Sequence, residues 1–390
     1  MNLLYMGYFC NEDLFNQLVE EGTNSSHARQ QLETKLLEGF VQNMKPEQWE
    51  MISYLPYVAS VTEKAGAGET YQGVNIRYLW CNKRKITSLL GAFFKNISYI
   101  REWAKKKGDK VILTYSVNPL HAIPMLLLRK IYRFKIVTLC SEVSVFRRTE
   151  NIGFVTRISR KVSAFLDNSF DGYVLLSKYM NEVINKRKRP FVVMEGVAKE
   201  PPKFSDITKK KAVLYAGGLS EDNGIQILLD GFVQAQIQDL ELWICGNGPM
   251  EKTVKDYAEK YTNIKFFGIV SNQQVQRMEQ EAELLIAPRF SQNEFTKYSF
   301  PSKTIEYMAT GTATALTRLK GIPEEYFEYA YVLKDESTEG ISNLLQDVFS
   351  ATDEQRRQKG EAAARFVLER KNGKIQAKKM IEFLEKYMCR

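Results

Sequence analysis

Two patterns of apolar residues alternate along the chain. Short runs rich in β-branched and aromatic residues are separated by segments whose apolar positions recur on one helical face, and this alternation predicts βαβ units and parallel sheets. In the first half the expected strands are Leu3–Phe9, Val111–Tyr115, Lys135–Leu139, Gly172–Leu176 and Phe191–Met194. Helices are expected between them at Ala28–Gln42, with Leu32, Leu36, Leu37 and Phe40 on one face, and at Leu120–Tyr132. In the second half Ala212–Ala216, Leu240–Cys245, Ile264–Phe267, Leu284–Ala287 and Thr312–Leu316 are expected strands alternating with helices. Both halves therefore read as α/β and doubly wound.

A polar segment, Gly196–Lys211, separates the halves. It contains Glu200-Pro201-Pro202-Lys203 and ends in Lys209-Lys210-Lys211, so it reads as a linker at a domain boundary. No repeat of the solenoid or propeller kind is visible. A last helical pattern, Lys374–Met388, follows the helix-stopping pair Asn372-Gly373 and is free to leave the second domain.

Length supports the division, since 390 residues exceed what one hydrophobic core serves comfortably. With 44% hydrophobic and 26% charged residues, and no low-complexity tract, the composition excludes collagenous, mucin-like and largely disordered classes. Cys10, Cys81, Cys140, Cys245 and Cys389 stand singly, so neither a zinc cluster nor a disulfide framework is expected. Met1–Cys10 has no basic region before its apolar run and reads as a strand rather than a signal peptide. No stretch reaches the ~18 uncharged apolar residues of a spanning helix. The expected location is cytoplasmic, soluble or peripheral on the inner face of a membrane.

Net charge is +9, carried as +10 by residues 1–200 and −1 by the remainder. That asymmetry points to an anionic partner for the first half. The basic stretches are Lys83-Arg84-Lys85, Arg101–Lys110, Arg129-Lys130 with Arg133 and Lys135, Arg147-Arg148, and Lys186–Arg189. Within Ile86–Trp103 an apolar face of Leu89, Leu90, Phe93, Phe94, Ile97, Ile100 and Trp103 reads in two ways. It is either an ordinary core-facing helix or a helix lying on anionic lipid. No zinc finger, RNP-like aromatic motif or helix-turn-helix signal is present, so no nucleic-acid partner is expected.

Three segments bear chemistry. Tyr215-Ala216-Gly217-Gly218-Leu219 follows an expected strand, and glycines there either let backbone N–H groups approach an anion or simply make a turn of positive φ. Gly246-Asn247-Gly248-Pro249 follows the next strand, but Glu251 stands where a dinucleotide fingerprint needs its third glycine. The third runs from Ala287-Pro288-Arg289 through Glu294 and Tyr298 to Phe300-Pro301-Ser302-Lys303-Thr304-Ile305-Glu306-Tyr307-Met308-Ala309-Thr310-Gly311. There Ser302 is the expected N-cap and Gly311 the helix stop. Lys303 in the first turn opposes the helix dipole, which makes sense where a diphosphate sits at that end. Glu306, one turn on, falls near the place of a ribose.

These segments, together with Phe266-Phe267-Gly268-Ile269-Val270, stand in an order that resembles the group 1 glycosyltransferases, glycosyltransferase family 4, over roughly Ala212 to Pro323. The resemblance implies a GT-B fold: two Rossmann-like doubly wound domains facing across a cleft, with the C-terminal helix crossing back to the first. The expected domains are 1–196 with 374–390 for the acceptor and 212–373 for the donor. It implies transfer from a nucleotide diphosphate sugar to a glycan or lipid-linked acceptor with retention of configuration, in surface polysaccharide biosynthesis. The nucleotide sugar is a substrate, and neither cofactor nor metal is expected. The donor residues it implies are Gly217, Gly218, Gly246, Gly248, Arg289, Tyr298, Ser302, Lys303 and Glu306.

The chain departs from the family pattern in two places. The family often has a Glu where Tyr298 stands, which leaves Glu294 as the nearby carboxylate. It also often has an Arg and a Lys where the first glycine turn has Gly218 and Asn223, which leaves Arg289 and Lys303 as the cations. On the acceptor side Ser25, His27 and Asn118 fall at expected strand ends, and His121 and Glu142 join Glu294 as catalytic candidates. Each of these is equally an ordinary surface or capping residue when taken singly. Two other functions share the pattern: a GT-B epimerase or phosphorylase, and a catalytically silent binding subunit of a glycan-assembly complex.

Overall fold

The apolar runs form the strands of two separate sheets. The computed structural model describes residues 1–389 apart from 24, 83–85, 117–118, 142, 144–161, 163–164 and 167. Two compact units result, one of Met1–Val197 with Gly373–Arg390 and one of Ala198–Asn372.

The first unit runs β1 (Asn2–Gly7), α1 (Glu12–Glu20), α2 (His27–Asn43), β2 (Trp49–Pro56), α3 (Ala59–Ala65), β3 (Gly68–Tyr71), β4 (Val74–Cys81), α4 (Ile86–Trp103), β5 (Lys110–Tyr115), α5 (Pro119–Tyr132), β6 (Lys135–Cys140), β7 (Gly172–Leu175), α6 (Met180–Ile184) and β8 (Phe191–Val193). Its sheet order is β3-β4-β2-β1-β5-β6-β7-β8, parallel throughout except for the β3–β4 edge hairpin. Leu3, Leu4, Tyr5 and Met6 of β1 are fully buried, as a strand covered on both faces requires. The strands β2 to β4 escape the sequence reading. Glu50, Ser53 and Pro56 interrupt the apolar run of β2, and burial of Ser53 is satisfied only because its hydroxyl donates to the Phe9 carbonyl.

The second unit runs β9 (Lys210–Ala216), α7 (Ile225–Ala235), β10 (Glu241–Cys245), α8 (Glu251–Lys260), β11 (Ile264–Gly268), α9 (Asn272–Glu281), β12 (Ala282–Ala287), α10 (Ser302–Ala309), β13 (Ala313–Thr317), β14 (Tyr331–Leu333), α11 (Thr338–Ser350) and α12 (Asp353–Arg370). All its pairings are parallel, in the order β11-β10-β9-β12-β13-β14. Numbered within the unit this is 3-2-1-4-5-6, the Rossmann order, whose direction reverses between β9 and β12. The core lies between the sheet and its helices, with Leu228, Leu229, Ile244, Leu284, Ile341 and Leu345 at its centre.

The polar segment after residue 197 is packed rather than a free linker. Ala198 N–H donates to the Lys371 carbonyl and Asp206 pairs with Arg277, both within the second unit. Lys209 is exposed along its stem, but its head turns inward, Nζ donating to the Ala282 carbonyl at 2.7 Å and to Thr312 at 2.8 Å, and desolvation there pulls its ammonium down to about 8. The final helix α13 (Gly373–Met388) packs on α2 of the first unit. Gly39 permits the contact, since a Cβ there would stand 2.1 Å from the Gly373 carbonyl oxygen.

Candidate donor-binding site

Strand order reverses between β9 and β12, and in open parallel sheets ligands bind outside the carboxyl ends of the strands at such a point. The last ladder pair between the two strands is Leu285 with Leu214, so the polar groups of Ala216 need other partners. Tyr307 of α10 supplies both. Its hydroxyl accepts from Ala216 N–H at 2.9 Å and donates to Ala216 C=O at 3.2 Å. That fixes α10 against the end of β9, with Gly217 and Gly218 directly beyond.

The glycine turns are stacked one on another by backbone bonds. Gly217 N–H donates to Cys245 C=O at 3.0 Å, Leu219 N–H to Asn247 C=O at 2.8 Å, and Gly246 N–H to Gly268 C=O at 2.8 Å. Close approach of backbone requires glycine at the second pair. A Cβ on Gly246 would lie 1.9 Å from the Gly217 carbonyl oxygen, and one on Gly248 would lie 2.3 Å from that of Leu219. Gly217 and Gly218 are not in the left-handed region, so positive φ is not what selects them. At the positions where the resemblance leads one to look for cations, Asn223 Nδ2 donates to Gly218 C=O at 2.8 Å, and the Tyr215 hydroxyl donates to the same oxygen at 2.8 Å. These two positions hold the turn shut.

Arg289 follows β12 on the other side of the reversal. Gly224, at φ +74°, lets the two loops meet, since a Cβ there would be 2.0 Å from the Pro288 carbonyl oxygen, and Phe290 N–H donates to Asp222 C=O. The Arg289 guanidinium lies 4.6 Å from the centre of the Phe295 ring, and its buried Nε has no hydrogen-bond partner among the described residues. Burial lowers its pKa, opposed by Tyr215 and Asp222. A partly desolvated guanidinium with an unused donor is chemically suited to an oxyanion.

In α10 the structure departs from the expected capping. Pro301, not Ser302, holds the N-cap position, no side chain caps the helix, and Ser302 is the exposed first residue. Proline at that point sets extended backbone before the helix, which moves Ser302 one position inward. The end is as expected, with Gly311 at φ +77° after Ala309. Lys303 is not a bare cation. Its Nζ is 3.5 Å from Glu279 Oε1 and 3.3 Å from Glu306 Oε2, so it bridges the two carboxylates. Burial lowers its pKa, but the two carboxylates outweigh that and hold it above the ordinary lysine value. Glu279 on α9 is 4% exposed, and burial pushes it up to about 7 despite Lys303. The sequence reading misses Glu279. Its signal was present, because it lies one turn after Val275 and beside Met278, on the side of α9 that packs on the core.

Glu294 and Tyr298 mark the two ends of a 3₁₀ turn, Glu294–Tyr298. Glu294 is exposed at its start and Tyr298 buried at its end, so the turn separates them and does not carry the carboxylate into the tyrosine's place. Gly321 admits this turn closely, a Cβ there meeting the Ser299 carbonyl oxygen at 2.0 Å.

In the first unit the corresponding reversal lies between β1 and β5. Tyr8, just past β1, stands near Tyr54 and Tyr115, with ring centres 6.2 and 6.3 Å away, and the Arg29 guanidinium lies 4.1 Å over its ring. Fully buried Glu33 holds this corner, accepting from Tyr5 Oη at 2.9 Å and from Tyr8 N–H at 3.0 Å. Burial pushes Glu33 up to about 7. Among the acceptor-side candidates, Ser25 shares a hydrogen bond with Thr23, and exposed His27 opens α2 with its ring 4.8 Å from that of Phe15. Ser116 sits at φ +62° beside residues that are not described. Asn118 and Glu142 lie outside the described residues, as do the side chain of His121 and the basic residues Lys83-Arg84-Lys85 and Arg147-Arg148.

Residues 197–366 match the family model described as glycosyl transferases group 1. Among solved structures the chain is similar to HepE of Anabaena in a complex with UDP and glucose, at 12% identity and TM-score 0.64, covering 99% of this chain and 100% of that one. It is also similar to sucrose-phosphate synthase of Thermosynechococcus elongatus, at 15% identity and TM-score 0.62, covering 99% of each chain. The lipopolysaccharide outer core galactosyltransferase WaaB, apo form, is similar at 14% identity and TM-score 0.59, again covering 99% of each. No curated protein matches the sequence. The matched segment contains the whole second sheet, its glycine turns, Arg289 and α10; residues 197–366 match the group 1 glycosyltransferase family, and the chain along its length has the GT-B fold of these structures.

Proposed function

We propose that the protein is a glycosyltransferase that takes its sugar from a nucleotide diphosphate sugar bound where β9 and β12 part in strand order and transfers it, with retention, to a glycan or lipid-linked acceptor of a surface polysaccharide. The observation that carries the donor reading is Arg289, a half-buried guanidinium with an unpartnered Nε at the strand reversal. The amides at the start of α10 have no side-chain cap and favour negative charge. In this reading Arg289 and those amides stabilise the departing diphosphate without a metal. Glu306 is the ribose ligand, held by Lys303, which Glu279 in turn anchors. Gly217 and Gly218 give the diphosphate backbone clearance. UDP bound to HepE and the lipopolysaccharide context of WaaB support a nucleoside diphosphate leaving group and a surface glycan. His121, Glu142 and Glu294 are the groups proposed for proton handling.

Thermal denaturation against UDP, GDP, ADP, CMP and their sugar conjugates tests the donor site, because a ligand of the folded state alone raises the melting temperature. One nucleoside diphosphate is expected to stabilise selectively in the presence of EDTA. Arg289→Ala is expected to weaken it by roughly tenfold or more, the loss of a charge-assisted contact. Unchanged affinity in that variant would remove Arg289 from the site. Burial of Tyr298 where the family often has a carboxylate favours a second reading, a silent nucleotide-binding subunit. Sugar transfer or donor hydrolysis by the purified chain would exclude it, and the anomeric configuration of the product tests retention.

A further inference from the structure

Exposed large apolar side chains concentrate on two neighbouring helices of the first unit. Leu90 and Phe94 stand out from α4, and Ile123, Leu127 and Ile131 from α5, with Phe94 63% and Ile131 71% exposed. A spacing of four residues places each set in one stripe. Ile100 and Trp103 of α4 and Met125 and Leu128 of α5 are buried, so the helices already spend other apolar residues on the core. The two helices pack on each other, and Arg101 Nε donates to the Tyr132 hydroxyl at 3.4 Å across their C-terminal ends. The stripes therefore stand on two adjoining helices.

The unpaired charge on these two helices is positive. Lys95 and Arg101 on α4, Lys130 on α5 and Arg133 just beyond it are exposed and in no ion pair among the described residues. Glu102 is the one acidic residue in either helix, and both its oxygens are bound by Arg77, at 2.6 and 2.9 Å. Among the described residues no helix is long and apolar enough to cross a membrane, so a lipid contact through this face is a surface contact.

We propose that the α4–α5 face docks on an anionic lipid bilayer, its apolar stripes entering the headgroup boundary and its lysines and arginines pairing with lipid phosphates. Apolar residues inserted at the interface and a cationic rim with no acidic counterpart are the two terms that bind an amphipathic surface to such a bilayer. A nucleic acid would use the rim and leave Phe94, Leu127 and Ile131 in water. A protein partner would ordinarily answer the rim with carboxylates.

Co-sedimentation of the whole chain with vesicles tests this without reference to sugar transfer. Binding is expected to equimolar phosphatidylcholine and phosphatidylglycerol vesicles, to be absent with phosphatidylcholine alone, and to weaken with salt. Lys130→Gln with Arg133→Gln is expected to cost roughly 25-fold in partitioning, about fivefold for each basic residue. Phe94→Ser with Leu127→Ser is expected to abolish sedimentation, and since all four positions are exposed the variants keep their melting temperature. No binding to anionic vesicles at low salt would overturn the proposal. So would equal binding by the apolar variant, which points to a polyanion site, or self-association of the chain lost in that variant without any lipid binding.

Discussion

At Lys303 the local sequence and the folded environment ask for different things. Alone in the first turn of α10 the residue reads as a cation waiting for an anion. In the structure a buried glutamate from another helix and Glu306 have claimed it. The cost of burying Glu279 is visible in its pKa of about 7, well above the ordinary carboxylate. A carboxyl raised in the folded state contributes stability that is fully present below its unfolded value and is lost as pH climbs through 7. Lys303→Ala removes the charge that offsets burial, so it is expected to destabilise by about 1–3 kcal/mol at pH 8. At pH 5, where Glu279 is protonated, the penalty should be much smaller, and in Glu279→Gln it should lose its pH dependence. Urea unfolding at the two pH values measures this; an equal penalty at both would show that the ion pair is not its source. Fully buried Glu33 has the same sign and adds to the same decline between about pH 4.5 and 7.

Elements were legible where one force dominated. The β1 and β9 runs, the helix Ile86–Trp103 and the stop at Gly311 follow from apolar continuity, periodicity and left-handed backbone. The strands β2 to β4 and β14 were not, because their pattern is broken by polar residues or is only three residues long, and pairing with neighbours is what makes them strands. Within α4 the whole apolar stripe had one appearance in the sequence, yet packing divides it into a buried part at Ile100 and Trp103 and an exposed part at Leu90 and Phe94. Element contacts also set which glycines matter. Gly39→Ala drives a methyl against the α13 backbone and is expected to cost about 1–3 kcal/mol. Gly91→Ala on α4 meets nothing within 4 Å and is expected to stabilise by about 0.5–1 kcal/mol. Melting temperatures of the two variants check the contrast, which fails if both shift alike.

At the scale of the whole molecule, each unit has its own sheet, and the second closes on itself where Ala198 pairs with Asn372. Residues 198–372 expressed alone are therefore expected to fold and to bind the same nucleoside diphosphate as the full chain. Isothermal titration of the fragment checks this, and a folded fragment without affinity would move the donor contacts elsewhere. By itself the sequence determined the class of each half, the family resemblance, the order of the glycine turns before the Pro301 helix and the basic bias of the first half. Those features are local in sequence, written in periodicity, turn chemistry and motif order. Tertiary structure alone decided that Tyr307 closes the strand reversal, that Glu279 neutralises Lys303, that Arg289 keeps an unused donor and that α5 adds a second apolar stripe beside α4. Each of these depends on which distant segments meet, and burial in the meeting place, not the residue type, sets the charge, the partner and the exposure.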